Sequence, residues 1–193
     1  KSSSTILTTI PEFAYLESRL DGTSIDYDLI RRCRRRYNKS SWAHTEGENT
    51  IAAGNRSHAE GYFTSASGNS SHAEGFFTTA SGNSSHAEGE NTRAVGNRAH
   101  AEGYFTSALG NNSHAEGSGS TAFGNNSHAE GASTITSGST SHAEGTATKA
   151  IGVASHSEGS FTTASGDNSL AIGGENIVAS GNHSFASGDS STA

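Results

Sequence analysis

Nine histidines, His44, His58, His72, His86, His100, His114, His128, His142 and His156, recur fourteen residues apart, and each is followed two positions later by a glutamate, from Glu46 to Glu158. An imidazole and a carboxylate at that spacing could ligate a metal ion, exchange a proton in acid–base catalysis, or pair through a charge-assisted hydrogen bond. Catalysis fits worst. An active site is a singular constellation in a pocket, whereas this pattern is periodic and offers no unique nucleophile–base pair. No catalytic residue and no cofactor are expected. A metal ion at one layer is compatible with the spacing, but nine repeated metal sites are not expected. Structural pairing of His with Glu is the reading that the periodicity favours.

The elements that must hold these side chains follow from the same repeat, because a fixed internal period decides architecture before local propensity does. Ser-His-Ala-Glu-Gly occupies 57–61, 71–75, 85–89, 113–117, 127–131 and 141–145, with close copies at 43–47, 99–103 and 155–159. Inside the fourteen lies a period of seven, Ser/Thr-x-Ala-x-Gly-x-x, with a glycine at every seventh position from Gly47 to Gly173. Alternation at period two predicts strands whose Ser/Thr, Ala and Gly share one face. The two residues after each glycine make the turn. Gly54-Asn55, Gly68-Asn69 and Gly82-Asn83 suit that role because both residues tolerate positive φ. Two strands and two turns close one coil, and stacked coils give parallel strands about 4.8 Å apart.

Outside the coil, one strand carries His and Glu every time, while the other carries Ile51, Ser65, Thr79, Arg93, Ser107 and Lys149 in the corresponding column. Irregularity is what solvent permits; uniformity implies a constraint. Only small side chains face the lumen, with Thr45, Thr136 and Ser157 as polar exceptions in the alanine column. At about 25 cal/mol per Å² so little buried apolar surface cannot offset the ordering of the backbone. Lateral association of chains is therefore expected.

Composition narrows the function classes. Hydrophobic residues make up 31% of the chain, which would ordinarily read as disorder, but a disordered chain has no reason to keep glycine in phase. No apolar run approaches the roughly 20 residues of a membrane span, so no membrane insertion is expected. The single Cys33 excludes an internal disulfide. Residues 1–40 hold eight basic and five acidic side chains, whereas the remainder holds four and fourteen, which together give the net charge of -7. An acidic repeat body is a poor nucleic-acid binder, and the Arg31–Arg36 run reads as a solvated or docking face.

In the first forty residues, Pro11 with Phe13, Leu16 and Leu20, and then Ser24 with Ile30, Cys33 and Tyr37, predict two short helices with narrow apolar stripes. Neither is long enough to be stable alone. They are expected to act as a trimerisation or attachment adaptor with a partner of their own. Three regions result: a helical adaptor over 1–40, regular repeats over 41–174, and a last coil over 175–193 whose phase Gly174 shifts by one residue. The absence of Met and a heptad that stops mid-motif at Ala193 imply a piece of a longer protein.

Asn168-Ser169-Leu170-Ala171-Ile172-Gly173 places two aliphatics where other coils have His and Glu. This hexapeptide, with the Ser-x-Ala-x-Gly halves around it, resembles the head repeats of trimeric autotransporter adhesins of the YadA type, and is similar to repeats in bacteriophage tail fibres. The resemblance covers about residues 42–193. It implies an all-β, left-handed parallel β-roll that forms a parallel homotrimer, with Leu170 and Ile172 facing the trimer axis. Carried over by position, the axis is lined by His58, Glu60, His72, Glu74, His86, Glu88, His100, Glu102, His114, Glu116, His128, Glu130, His142, Glu144, His156 and Glu158. Here the chain departs from the family pattern, since a dry aliphatic seam has become a polar one. Three His and three Glu per layer are expected to pair between chains. Such pairing would raise the His pKa values and weaken the trimer at alkaline pH.

Tyr62, Phe63, Phe76, Phe77, Tyr104, Phe105 and Phe161 follow the His/Glu strands. They are expected to clamp neighbouring subunits at the edge of the seam, the alternative being an exposed strip for a glycan or protein receptor. Trp42 is expected to cap the open end of the roll, where strand edges would otherwise invite stacking. The sequence thus reads as a non-enzymatic homotrimeric fibre segment, extracellular on a virion or a cell surface, that serves attachment. The alternatives are a self-polymerising filament and, less favoured, a metal-binding roll.

Overall fold

The computed structural model describes residues 41–193, together with the backbone strand Tyr37–Asn38. The two helices expected within 1–40 lie outside the described residues. Those that are described form an all-β parallel solenoid. Long strands such as His58–Tyr62, His72–Phe76 and His100–Tyr104 alternate with two-residue strands such as Ser65–Ala66, Thr79–Ala80 and Ser107–Ala108. Each kind forms its own eleven-stranded sheet, and neighbours in a sheet belong to successive coils. The fourteen-residue period is the register itself: His58 pairs with His72, Ala59 with Ala73, Glu60 with Glu74, and Tyr62 with Phe76.

Small side chains make this possible. The alanine column, from Ala52 to Ala129, is fully buried. Serine and threonine stand at the two inner corners, and the two corners differ. The Ser57 hydroxyl donates to the Gly54 carbonyl at 2.7 Å, and the same bond recurs at Ser71, Ser85 and Ser113. Where the alanine column turns polar, the extra hydroxyl finds a partner across the lumen: Thr136 donates to Ser127 at 2.9 Å, and Ser157 lies 2.7 Å from Thr162. A buried hydroxyl is tolerated when it is hydrogen-bonded.

The Gly-Asn turns work differently from the sequence expectation. Gly54 and Asn55 keep ordinary φ, and the left-handed residue is the third one, Arg56 at φ 56, Ser70 at 55 and Arg98 at 56. Gly68 is fixed by proximity, since a Cβ there would stand 1.9 Å from the carbonyl oxygen of Gly82 in the next coil. The asparagine is fixed by a ladder. The backbone N–H of Asn55 donates to Oδ1 of Asn69 at 3.1 Å, Asn69 to Asn83 at 3.0 Å, and Asn83 to Asn97 at 3.0 Å. The side chain thus joins coils rather than bending one.

Gly174 is accommodated as a bulge: Glu158 pairs with Ile172, but Ser160 pairs with Glu175. Beyond it the small-residue rule relaxes, and Ile177 is fully buried at the corner that threonine fills elsewhere. No helix of the described residues is long and apolar enough to cross a membrane.

Candidate functional site

The outward face of the long-strand sheet is built from two columns. Within each strand Ser57 and Ala59 point inward, so His58 and Glu60 share the outer surface, and the in-register pairing repeats this in the next coil. From His58 to His142 the imidazoles stack face to face, and His44 and His156 at the two ends are tilted. His58 and His72 have ring centroids 4.8 Å apart at 2°, His100 and His114 4.8 Å at 3°, and His114 and His128 4.7 Å at 4°. Beside them an open trough runs along Glu60, Glu74, Glu88, Glu102, Glu116 and Glu130, floored by glycine backbone.

Within one chain the imidazoles already approach carboxylates. His58 Nε2 lies 3.7 Å from Glu60, His128 Nε2 3.4 Å from Glu130, and His114 Nε2 between Glu102 at 3.7 Å and Glu116 at 3.8 Å. These separations exceed the 2.7–3.2 Å of a typical hydrogen bond. The Nε2 atoms from His58 to His156 are buried and accept or donate no hydrogen bond.

Pairing with Glu between chains is expected to raise the His pKa values; within one chain His86 and His114 are held below the ordinary imidazole value. Burial is the main cause, followed by the neighbouring imidazoles, and together these outweigh the nearby carboxylates. The carboxylates relieve one another. Glu116 is pushed up to about 7 by its hydrogen bond to Glu102, by burial and by the charge of Glu130. Glu88 is likewise raised, first by its hydrogen bonds to Glu102 and Glu74, and Glu102 is lowered by accepting from Glu116 and Glu88. Of these three stacked carboxylates, Glu88 and Glu116 keep a proton more readily and Glu102 gives one up more readily.

The remaining residues singled out in the sequence fall around this face. Leu170 and Ile172 are half-buried and continue the His and Glu columns, pairing with His156 and Glu158. Phe185 extends the His column one coil further, opposite Leu170, and is 57% exposed. Sequence reasoning missed it, although removing the Gly174 insertion from the count aligns Ser184–Gly188 with Ser-His-Ala-Glu-Gly. Tyr62, Phe76 and Tyr104 end their long strands at the rim of the face, while Phe63, Phe77, Phe105 and Phe161 occupy the left-handed residue that follows. Tyr62 stacks on Phe76 at 5.3 Å and Phe63 on Phe77 at 4.9 Å; Glu90-Asn91 then interrupts the ladder before Tyr104-Phe105, and Phe161 stands separately, four coils after Phe105. Trp42 sits between Tyr37–Asn38 and His44–Glu48 and is 89% exposed among the described residues.

Two parallel sheets whose strands repeat in register, coil after coil, define a solenoid repeat protein. Six stretches match the family model described as YadA head domain repeat (2 copies), at residues 46–71, 73–99, 87–113, 101–127, 115–139 and 159–176. They cover more than half of the chain, which belongs to the YadA head-repeat family. That family is one of trimeric, surface-exposed, adhesin-like fibres, structural rather than enzymatic. A search of curated proteins finds no match to the chain.

Proposed function

We propose that this chain is a segment of a homotrimeric attachment fibre, projecting from a virion or a cell surface, whose His/Glu face lines the threefold axis. The observation that carries the reading is the contrast within each coil. The long-strand face repeats His and Glu without substitution through coil after coil, half-buries them, and then changes to Leu170, Ile172 and Phe185. The short-strand face varies freely. A face that keeps the same two side chains in coil after coil, and carries aliphatics at one end, suits self-association better than solvation. The aromatic rim beside it would clamp the neighbouring subunit, and residues 1–40 would dock the fibre to its base. A glycan or protein receptor would be met by the outer surface.

The test is the molar mass of the full chain in solution by light scattering. The expected value is about three times the 19.7 kDa of one chain. A stable monomer would overturn the reading.

A further inference from the structure

The outward His and Glu columns lack the one thing that structural pairing should supply. Each Nε2 from His58 to His156 is buried and unpartnered, although a carboxylate oxygen stands 3.4 to 3.9 Å away. A buried polar atom so close to an acceptor normally closes the gap to a hydrogen bond. The separation is instead near that between two ligands of one tetrahedral zinc ion, which are bound at about 2.0–2.2 Å and stand about 3.4 Å apart. Several sets of donors from successive coils, among them Glu60, His72 and Glu74, and Glu74, His86 and Glu88, bring their ligand atoms within 4.8 Å of one another.

We propose that the His/Glu face binds zinc-type divalent ions, each held by one imidazole Nε2 and one or two glutamate oxygens of the same chain. The ring stacking decides the count of imidazoles. His100, His114 and His128 are parallel to within 4°, so their Nε2 lone pairs run parallel and cannot converge on one ion without turning a ring. Glu102 and Glu116 flank His114 from successive coils and supply the second and third donors. The remaining coordination positions are open to water or to the same columns of a second copy. Successive imidazoles are about 4.8 Å apart, and doubly charged ions that close repel strongly. Filling of about every second coil is expected, not of all of them. The imidazole makes the site selective for zinc, cobalt or nickel over magnesium, which prefers an all-oxygen shell. The donors belong to one chain, so the inference stands whether or not the trimer forms.

The test is calorimetric titration of the full chain, stripped with EDTA and free of any affinity tag, with zinc chloride and separately with magnesium chloride. Zinc K-edge absorption is measured on the loaded protein. Expected are several zinc ions per chain but fewer than one per histidine, no saturable magnesium binding, and an absorption spectrum with imidazole scattering in a mixed nitrogen–oxygen shell. His100→Asn, His114→Asn and His128→Asn combined should lower the zinc count with the far-ultraviolet circular dichroism unchanged. Should that variant not fold, the spectrum of the unsubstituted chain decides alone. Zinc bound no better than magnesium, a shell of oxygen only, or a zinc count untouched in the folded triple variant would overturn the proposal.

Discussion

The two sheets of this solenoid share a coil, a period and an inner lining of alanine, yet their outer faces obey different rules. The short-strand sheet exposes Ile51, Arg93, Phe123 and Lys149 in no order. The long-strand sheet repeats His and Glu and stacks the imidazoles within a few degrees of parallel. Inner uniformity is a packing requirement, because each coil must fit the next. Outer uniformity is not needed for that purpose, as the short-strand sheet demonstrates. A constraint from outside the single chain would account for it, and this is the physical ground for proposing that the long-strand face is an interface.

The comparison breaks most completely where both sheets depend on the same contact. Gly68→Ala sets a Cβ 1.9 Å from the Gly82 carbonyl oxygen and should cost about 3 kcal/mol or more in denaturant unfolding. A variant as stable as the parent would show that the coils are not stacked this closely. A sharper division is expected from paired surface changes. Glu102→Lys on the long-strand face should reduce the trimer to smaller species in light scattering, whereas Ser107→Lys on the short-strand face should leave its mass unchanged.

The two inner corners give a smaller contrast. Ser113→Ala removes the 2.7 Å bond to the Gly110 carbonyl and should destabilise by about 1 kcal/mol. The buried Thr106 hydroxyl has no such partner, so Thr106→Val should be neutral or slightly stabilising in the same unfolding measurement.

The smallest effect is the response to pH, measured with EDTA present. His86 and His114 are lowered in the fold, so what they contribute is complete above about 6.5 and lost as the pH falls below it. Glu116 is raised to about 7, so its contribution is complete below its ordinary value and lost as the pH rises to about 7. The two slopes oppose each other just below about pH 6.5 and should partly cancel there in the melting temperature. Glu116→Gln should weaken the falling limb, to which the raised Glu88 also contributes, and tilt the profile toward a melting temperature that rises with pH in that window. An unchanged profile would show that Glu116 is not raised.

Much of this was legible in the sequence because a repeat writes its register directly. The strands, the alanine column and the outward His and Glu follow from spacing, and the family from the resemblance that Asn168–Gly173 and the Ser-x-Ala-x-Gly halves carry. What escaped was chemistry between coils. Asn55 and Asn69 looked like turn formers, and only stacking reveals that their amides bridge successive coils while Arg56 and Ser70 take the left-handed conformation. The His pKa values were expected to rise through pairing between chains; within one chain, at His86 and His114, lost solvent and the two neighbouring imidazoles outweigh the carboxylates. Phe185 escaped because a one-residue insertion hides a period from a fixed ruler.

The most direct test of the account places a thiol on each face in turn. In a Cys33→Ser background, Glu102→Cys and Ser107→Cys chains are treated with a short bismaleimide and resolved under denaturing conditions. The account predicts covalently joined subunits from the Glu102→Cys chain and single subunits from the Ser107→Cys chain. Cross-linking through position 107 with none through 102 would contradict it and move the interface to the short-strand sheet.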